Sequence, residues 1–183
     1  NAQVWEVIEL SENEICMNYK SPDGEEGYPG TLDCCVTYTL TDDNELKIRY
    51  EAETDKPTVI GLTNHSYFNL KGAGNGTVRD HLLQVNADFH TVLDETASPT
   101  GEIRPVDNSP FDFRKPVVIG SVIDAPEYAA GRGIDNNWTI RKQQPRQLAL
   151  AATLYEPVSG RKMDVLTTQP GVQVYTANWV EKQ

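Results

Sequence analysis

Thr31-Leu32-Asp33-Cys34-Cys35-Val36-Thr37-Tyr38-Thr39-Leu40-Thr41 decides the fold class. Leu32, Cys34, Val36, Tyr38 and Leu40 alternate with Thr31, Asp33, Cys35, Thr37 and Thr39, the two-residue period of a strand with one buried face. Asp42-Asp43-Asn44 then supplies turn-forming side chains, and Glu45 to Thr54 resumes the alternation through Leu46, Ile48, Tyr50 and Ala52. Together the two runs predict a β-hairpin. Upstream, residues 3–10 and 13–19 read as two strands joined by Ser11-Glu12, and 21–30 is a turn segment with three glycines and two prolines. Downstream, 57–70 reads as a third strand after the hairpin, and 81–94 as strand. Residues 95–116 read as irregular with short β pieces, and 117–124 as one or two helical turns. Strands are expected again at 134–140, at 147–155 and 161–167 as a hairpin, and at 169–180. No stretch carries an amphipathic helix of ten or more residues. Several short strands with regular turn signals predict an all-β sandwich or barrel, with residues 1–183 as one domain.

The formal net charge of −11 over 183 residues argues against nucleic acid and anionic membrane partners, which both need a basic footprint. No apolar run approaches the roughly 20 residues of a membrane helix. Cys16, Cys34 and Cys35 form neither a disulfide framework nor a zinc spacing, so buried thiols in a reducing compartment are expected. Asn1-Ala2-Gln3 runs straight into Val4-Trp5 without a signal peptide, and the chain does not begin with Met, as in a processed form or a piece. The expected compartment is cytoplasmic, with the periplasm as the alternative because the true N-terminus is missing. Glycosylation sequons at Asn64, Asn75 and Asn137 include two that flank candidate site residues, where a glycan would block a pocket.

Three polar constellations stand out. On a regular strand over 57–70, Thr63, His65, Tyr67 and Asn69 share one face. Asp135 and Asn137 share a face just after Gly131 and Gly133, with Trp138 opposite. Gln173, Tyr175 and Trp179 follow a Pro-Gly turn. Carboxylate, amide, imidazole and aromatic groups from separate strands suit a sugar: hydroxyls want planar acceptors and donors, and the apolar ring faces want an aromatic platform. Each residue also has a plain structural reading. His65 can be a half-buried histidine at a strand end, Asp135 a turn former, Gln173 a solvent-facing strand residue, and Tyr175 and Trp179 core. His81 and His90 read as structural, and Asp23, Glu25 and Glu26 as a solvated turn rather than a calcium loop. Gly72 to Gly76 opens no helix and is no phosphate cradle. There is no Gly-x-Ser-x-Gly elbow, and no cysteine sits in a nucleophilic environment.

Thr63-Asn64-His65-Ser66-Tyr67-Phe68-Asn69-Leu70 resembles the histidine motif of the aldose 1-epimerase (galactose mutarotase) family. Ser21-Pro22-Asp23-Gly24-Glu25-Glu26-Gly27-Tyr28-Pro29-Gly30 resembles its acidic Gly-Tyr-Pro-Gly turn. Gly133-Ile134-Asp135-Asn136-Asn137-Trp138 resembles its aspartate motif, which more often reads Asp-His-Asn. Thr167 to Trp179 resembles its glutamine strand, usually with Gly and Phe where Ala177 and Trp179 stand. The four runs occur in the family's order and cover essentially the whole chain. The resemblance implies a large antiparallel β-sandwich of the galactose mutarotase type that interconverts the α and β anomers of a hexose such as galactose or glucose by acid–base ring opening. It makes the enzyme an isomerase of hexose metabolism. It implies His65 as proton donor and Tyr67, Asp135 and Gln173 as sugar-binding residues, with no metal and no organic cofactor.

The departures carry expectations of their own. The family's base is a glutamate in a Glu-Thr-Gln run downstream of the glutamine strand. Glu181 stands too close to that strand to be it. An upstream arginine and a Leu-His-Gly-Gly histidine are also not in these 183 residues. The sequence therefore resembles the central portion of an epimerase domain, incomplete at both ends. By itself it is expected to be inactive and to form a homodimer through exposed edges. The alternative function is a non-catalytic carbohydrate-binding or scaffold module of the same fold. A hexose-6-phosphate epimerase would want arginines for bidentate phosphate recognition, and only Arg132 stands beside a site motif.

Overall fold

The hairpin expected from residues 31–54 is the centre of an antiparallel meander in the computed structural model, which describes residues 3–180. Strands β1 (Glu6–Leu10), β2 (Glu14–Ser21), β3 (Leu32–Leu40) and β4 (Leu46–Thr54) pair in chain order. Asn44 turns β3 into β4 in the left-handed region (φ 59°), which an Asn tolerates. The register stacks one apolar face across three strands. Cys34 lies between Tyr19 and Ala52, Val36 between Met17 and Tyr50, and Tyr38 between Ile15 and Ile48. Three cysteines sit on this meander as free thiols, Cys16 and Cys34 buried and Cys35 half-buried. A hydrogen bond with Cys16, then burial, pushes the Cys35 thiol up to about 11, so it is no ready nucleophile.

The acidic turn is more ordered than a solvated turn. Glu25 accepts hydrogen bonds from the Tyr19 hydroxyl at 2.7 Å and the Ser21 hydroxyl at 2.5 Å. Asp23 accepts from the Gly30 N–H at 2.6 Å and pairs with Lys56. The Ser21 and Tyr19 bonds hold the Glu25 carboxyl below its ordinary range.

The expected strand over 57–70 is not a strand. Pro57 removes one ladder donor, and the polar side chains bond locally instead. Asn64 Oδ1 accepts from the Ser66 N–H at 3.2 Å, and Asn69 Oδ1 from the Lys71 N–H at 3.0 Å, while Asn69 Nδ2 donates to the Gly76 carbonyl at 3.1 Å. Such Asn-centred turns offer the backbone an alternative to a sheet, so the alternation placing Thr63, His65, Tyr67 and Asn69 on one face does not hold.

The chain divides into two compact units, Asn1–Ser66 and Tyr67–Gln183. The second contains β5 (Leu82–Val85), β6 (Ala87–Leu93), β7 (Pro99–Pro105), β8 (Val117–Val118), β9 (Asp135–Ile140), β10 (Ala149–Tyr155), β11 (Lys162–Thr167) and β12 (Gly171–Tyr175). One antiparallel sheet has the order β11-β10-β5-β8 and the other β12-β9-β6-β7. Their facing sides share a core. Leu83, Val85, Ala151 and Ala152 come from the first sheet, Ala87, Trp138 and Ile140 from the second, and Phe111, Phe113, Tyr128 and Ile134 from the connections. Trp138 is fully buried, donates its indole N–H to the Phe111 carbonyl at 3.0 Å and meets Phe113 edge-on at 5.7 Å.

Three boundaries differ from the sequence reading. Residues 95–116 contain a full strand, β7, because Asp94 Oδ1 gathers the Thr96 and Ser98 N–H groups (2.8 and 3.0 Å) and closes a hairpin between β6 and β7. Residues 117–124 begin with the two-residue β8, paired to β5, before a 3-10 turn at Ile119–Ser121. The last strand stops at Tyr175, so Trp179 does not continue its alternation. Among the described residues helix occurs only as short 3-10 turns, and no helix is long and apolar enough to cross a membrane.

Candidate functional site

β9 presents its side chains as the sequence pattern demands. Asn136, Trp138 and Ile140 are buried, and Asp135, Asn137 and Thr139 face the other way, half-buried. β12 lies alongside, with Tyr175 opposite Asp135 and Gln173 opposite Asn137. This register brings Gln173 Nε2 to 2.7 Å from Asp135 Oδ1. On the other flank, the Thr91 hydroxyl of β6 donates to Asn137 Oδ1 at 3.3 Å. The outer face of this sheet therefore carries Thr91, Asn137, Asp135 and Gln173 in a row. With the Gln173 amide donating to Asp135, its Oε1 and the second carboxylate oxygen of Asp135 are acceptors from neighbouring strands. That pair suits donors on adjacent carbons, such as the hydroxyls of a sugar.

Aromatic rings border the row. The Tyr175 ring lies 5.7 Å from that of Tyr67, which opens the second unit and is 56% exposed. Tyr175 Oη accepts the Trp179 N–H at 2.9 Å, and the Arg132 guanidinium stands 4.0 Å over the Trp179 ring. The second unit thus brings together Tyr67, Asp135 and Gln173. His65 lies two residues before Tyr67 in the chain, in the first unit, and is exposed. Glu181 lies outside the described residues.

The chain segment after Tyr67 is anchored by its backbone. The Leu70 N–H donates to His81 Nε2 at 3.1 Å, and Arg161 Nη1 donates to the Leu70 carbonyl at 2.9 Å. His81 is fully buried, and burial pushes its pKa below the ordinary histidine value, so its acceptor nitrogen stays unprotonated. Beside it, Ser159 through its side chain and N–H, and then the Val158 N–H, hold the buried Glu156 carboxyl down to about 2. His90 stacks on Phe111 at 3.9 Å and is likewise pushed down by burial. Both histidines are framework, as their spacing suggested. No cluster of His, Cys, Asp or Glu among the described residues could hold a metal ion.

Sequence reasoning missed Thr91 and Asn178. Thr91 is brought to the site by the β6–β9 pairing, which no local pattern reports. Asn178 was visible only as the third residue of Thr176-Ala177-Asn178, a turn-forming type after a strand.

A model of the aldose 1-epimerase family matches residues 1–183. Galactose mutarotase of Sus scrofa is 44% identical over 178 residues, 97% of this chain and 50% of that protein. Aldose 1-epimerase of Haemophilus influenzae is 38% identical over 177 residues, 96% of this chain and 51% of that protein. Among solved structures, an aldose epimerase homologue from C. elegans superposes with a TM-score of 0.84 at 30% identity, over 97% of this chain and 53% of that one. The galactose 1-epimerase of Lactobacillus acidophilus gives 0.83 at 29%, over 96% and 51%. The chain spans about half the length of the curated relatives it matches. Its antiparallel sheets are those of the galactose mutarotase type of β-sandwich.

Proposed function

The chain belongs to the aldose 1-epimerase family, and we propose that the protein interconverts the α and β anomers of a hexose such as galactose or glucose. A base removes the proton of the anomeric hydroxyl, the C1–ring-oxygen bond breaks, and an acid gives a proton to the ring oxygen. Rotation about C1–C2 and reclosure with the roles reversed deliver the other anomer. His65 is the proposed acid, since an imidazole can both give and take a proton. Asp135 and Gln173 accept hydroxyl hydrogen bonds, and Tyr67 lines the same site. The observation that carries this reading is Asp135 and Gln173 joined by a 2.7 Å hydrogen bond from Gln173 Nε2 to Asp135 Oδ1, which leaves each with a further acceptor oxygen, in a chain whose whole length matches the family. The reaction also needs a matching base, which in the family's pattern is a glutamate. No metal or organic cofactor enters the reaction.

Continuity of the family match from residue 1 to 183 supports one domain built from both units. Free thiols at Cys16, Cys34 and Cys35 support a reducing compartment, the cytoplasm. The edge strand β1 exposes Val7, Ile8 and Leu10, which supports pairing into a homodimer. Polarimetry of the complete protein on freshly dissolved α-galactose and α-glucose tests the function. Acceleration over the buffer rate, lost in His65→Gln, is expected. Sugar binding without acceleration would replace the enzyme by a carbohydrate-binding module of the same fold.

A further inference from the structure

Asp135 emerges from a loop two of whose carbonyls are gathered by one side-chain amide. Asn178 Nδ2 donates to the carbonyl oxygens of Gly131 and Ile134, both at 2.9 Å, and Asn178 Oδ1 accepts from the Thr176 hydroxyl at 2.6 Å. Thr176 Oγ1 in turn accepts the Ile134 N–H at 3.1 Å, and the Thr176 N–H donates to the Ile134 carbonyl at 3.0 Å. Ile134, the residue before Asp135, is fully buried, and so its backbone is fixed on both sides of the peptide plane. The approach is tight. A side chain at Gly133 (φ +139°) would collide with the Asn178 amide, and one at Gly131 would press on the Gly133 carbonyl and the Asp135 Cβ. Gly133 is therefore required for Asn178 to reach the loop, and Gly131 for the loop to fold back on itself beside Asp135. Arg132, between them, takes a left-handed φ of 56° and lies over Trp179, the next residue after Asn178.

None of these contacts touches the outer face of the sheet. They set where the Asp135 backbone leaves the loop, and hence whether its carboxylate meets Gln173. We propose that Asn178 is a positioning residue for sugar binding, acting through the 131–134 backbone to hold the Asp135–Gln173 acceptor pair. The proposal rests on the epimerase reading above. An amide is needed because the two carbonyl acceptors require two N–H donors, while the Thr176 hydroxyl requires an acceptor on the same group. Aspartate has the same shape but places an acceptor oxygen, in place of the N–H donors, against the two carbonyls.

The test uses Asn178→Ala and Asn178→Asp in the complete protein, with Thr176→Val as a further variant that keeps the Asn178 amide but removes the hydroxyl shared by Asn178 Oδ1 and the Ile134 N–H. Circular dichroism and urea unfolding measure the folded fraction, and polarimetry measures kcat and KM per folded molecule. Both Asn178 variants are expected to raise KM about tenfold or more with kcat changed less than threefold, because placing one binding residue correctly is worth that order. Thr176→Val shifts KM in the same direction by a smaller factor. In an Asp135→Asn background, Asn178→Asp should add less than twofold, since the group through which it acts has already been altered. A lower folded fraction with unchanged KM would make Asn178 merely structural and overturn the proposal, as would full additivity with Asp135→Asn. If the unsubstituted protein shows no turnover, the epimerase reading fails separately. A crystal structure of the Asn178→Asp or Thr176→Val protein then decides: displacement of Asp135 from Gln173 supports the clamp, and unchanged geometry refutes it.

Discussion

Trp138→Phe probes the residue on which the second unit's core is centred. The indole is fully buried, sits edge-on to Phe113 and gives its N–H to the Phe111 carbonyl at 3.0 Å. Phenylalanine keeps the aromatic contact but has no donor. The Phe111 carbonyl would lose that donor but keep the Phe113 N–H at 3.1 Å, so the loss is that of one hydrogen bond, about 0.5–1.5 kcal/mol. The smaller ring also leaves a void; full truncation of a buried Trp to Ala costs about 3–5 kcal/mol, so roughly a third of that, ~1–1.5 kcal/mol, is appropriate here. The sum, about 1.5–3 kcal/mol, is a large part of a domain stability of about 5–15 kcal/mol. With a urea slope of about 1–3 kcal/mol per molar, the unfolding midpoint should fall by roughly 1 M. Because Trp138 and Asp135 sit on opposite faces of β9, KM for sugar should stay within about twofold while the protein is folded. Trp5→Phe, on a partly exposed ring 5.6 Å from Tyr19, is the control and should cost less than about 1 kcal/mol. A Trp138→Phe loss below about 0.5 kcal/mol would refute the reasoning, since it would mean that neither the N–H bond nor the ring volume is required.

Stability should also fall on mild acidification. His81 and His90 are buried, and burial is the chief cause pushing both below their ordinary pKa. Folded values below the unfolded value mean that the unfolded chain takes up protons the native state refuses. The stabilisation is complete above the unfolded histidine pKa of about 6.5 and is lost as the pH falls from there toward the folded values, at up to ~1.4 kcal/mol per pH unit per histidine. Urea midpoints at pH 7.5, 6.0 and 5.0 check this above the carboxylate range, and His81→Gln should flatten the slope; a flat profile in the unsubstituted protein contradicts it. Ala177→Gly should raise stability by about 0.5–1 kcal/mol, because Ala177 occupies a left-handed φ of 58° that costs an L-residue about 1–2 kcal/mol, partly offset by the extra chain entropy of glycine. A lowered urea midpoint would contradict it.

Legibility in the sequence followed the length scale of the signal. Residues 31–54 were readable because period-two alternation and a turn residue are local, and the register of β3 against β2 and β4 stacks the alternating set as expected. β9 was readable for the same reason, and its face assignment put Asp135 and Asn137 opposite Trp138. The segment 57–70 misled because β-branched residues at 58–60 suggested strand, while Asn64 and Asn69 were already committed to local turns. β7 was hidden because prolines at both of its ends dominated the local pattern, whereas the hairpin was set by one carboxylate, Asp94. The Asp135–Gln173 bond joins residues 38 positions apart. Only the pairing of two strands makes it: alternation singles out each residue on its own strand, and the family resemblance adds the shared sugar-binding role.

The three departures from the family pattern can now be weighed by where they sit. Asn136, in place of the more usual histidine, is on the buried side of β9 and accepts the Asp135 N–H at 3.3 Å, so the substitution is on the opposite side of the sheet from the acceptor row. Ala177, in place of glycine, keeps the left-handed turn that aims Asn178 back at Gly131 and Ile134, and pays in local strain. Trp179, in place of phenylalanine, offers a larger ring to the Arg132 guanidinium, and that contact tethers the middle of the 131–134 loop from outside while Asn178 ties it from behind. A strained turn retained where glycine would relax it implies that the position of Asn178 matters more than the conformational freedom of residue 177.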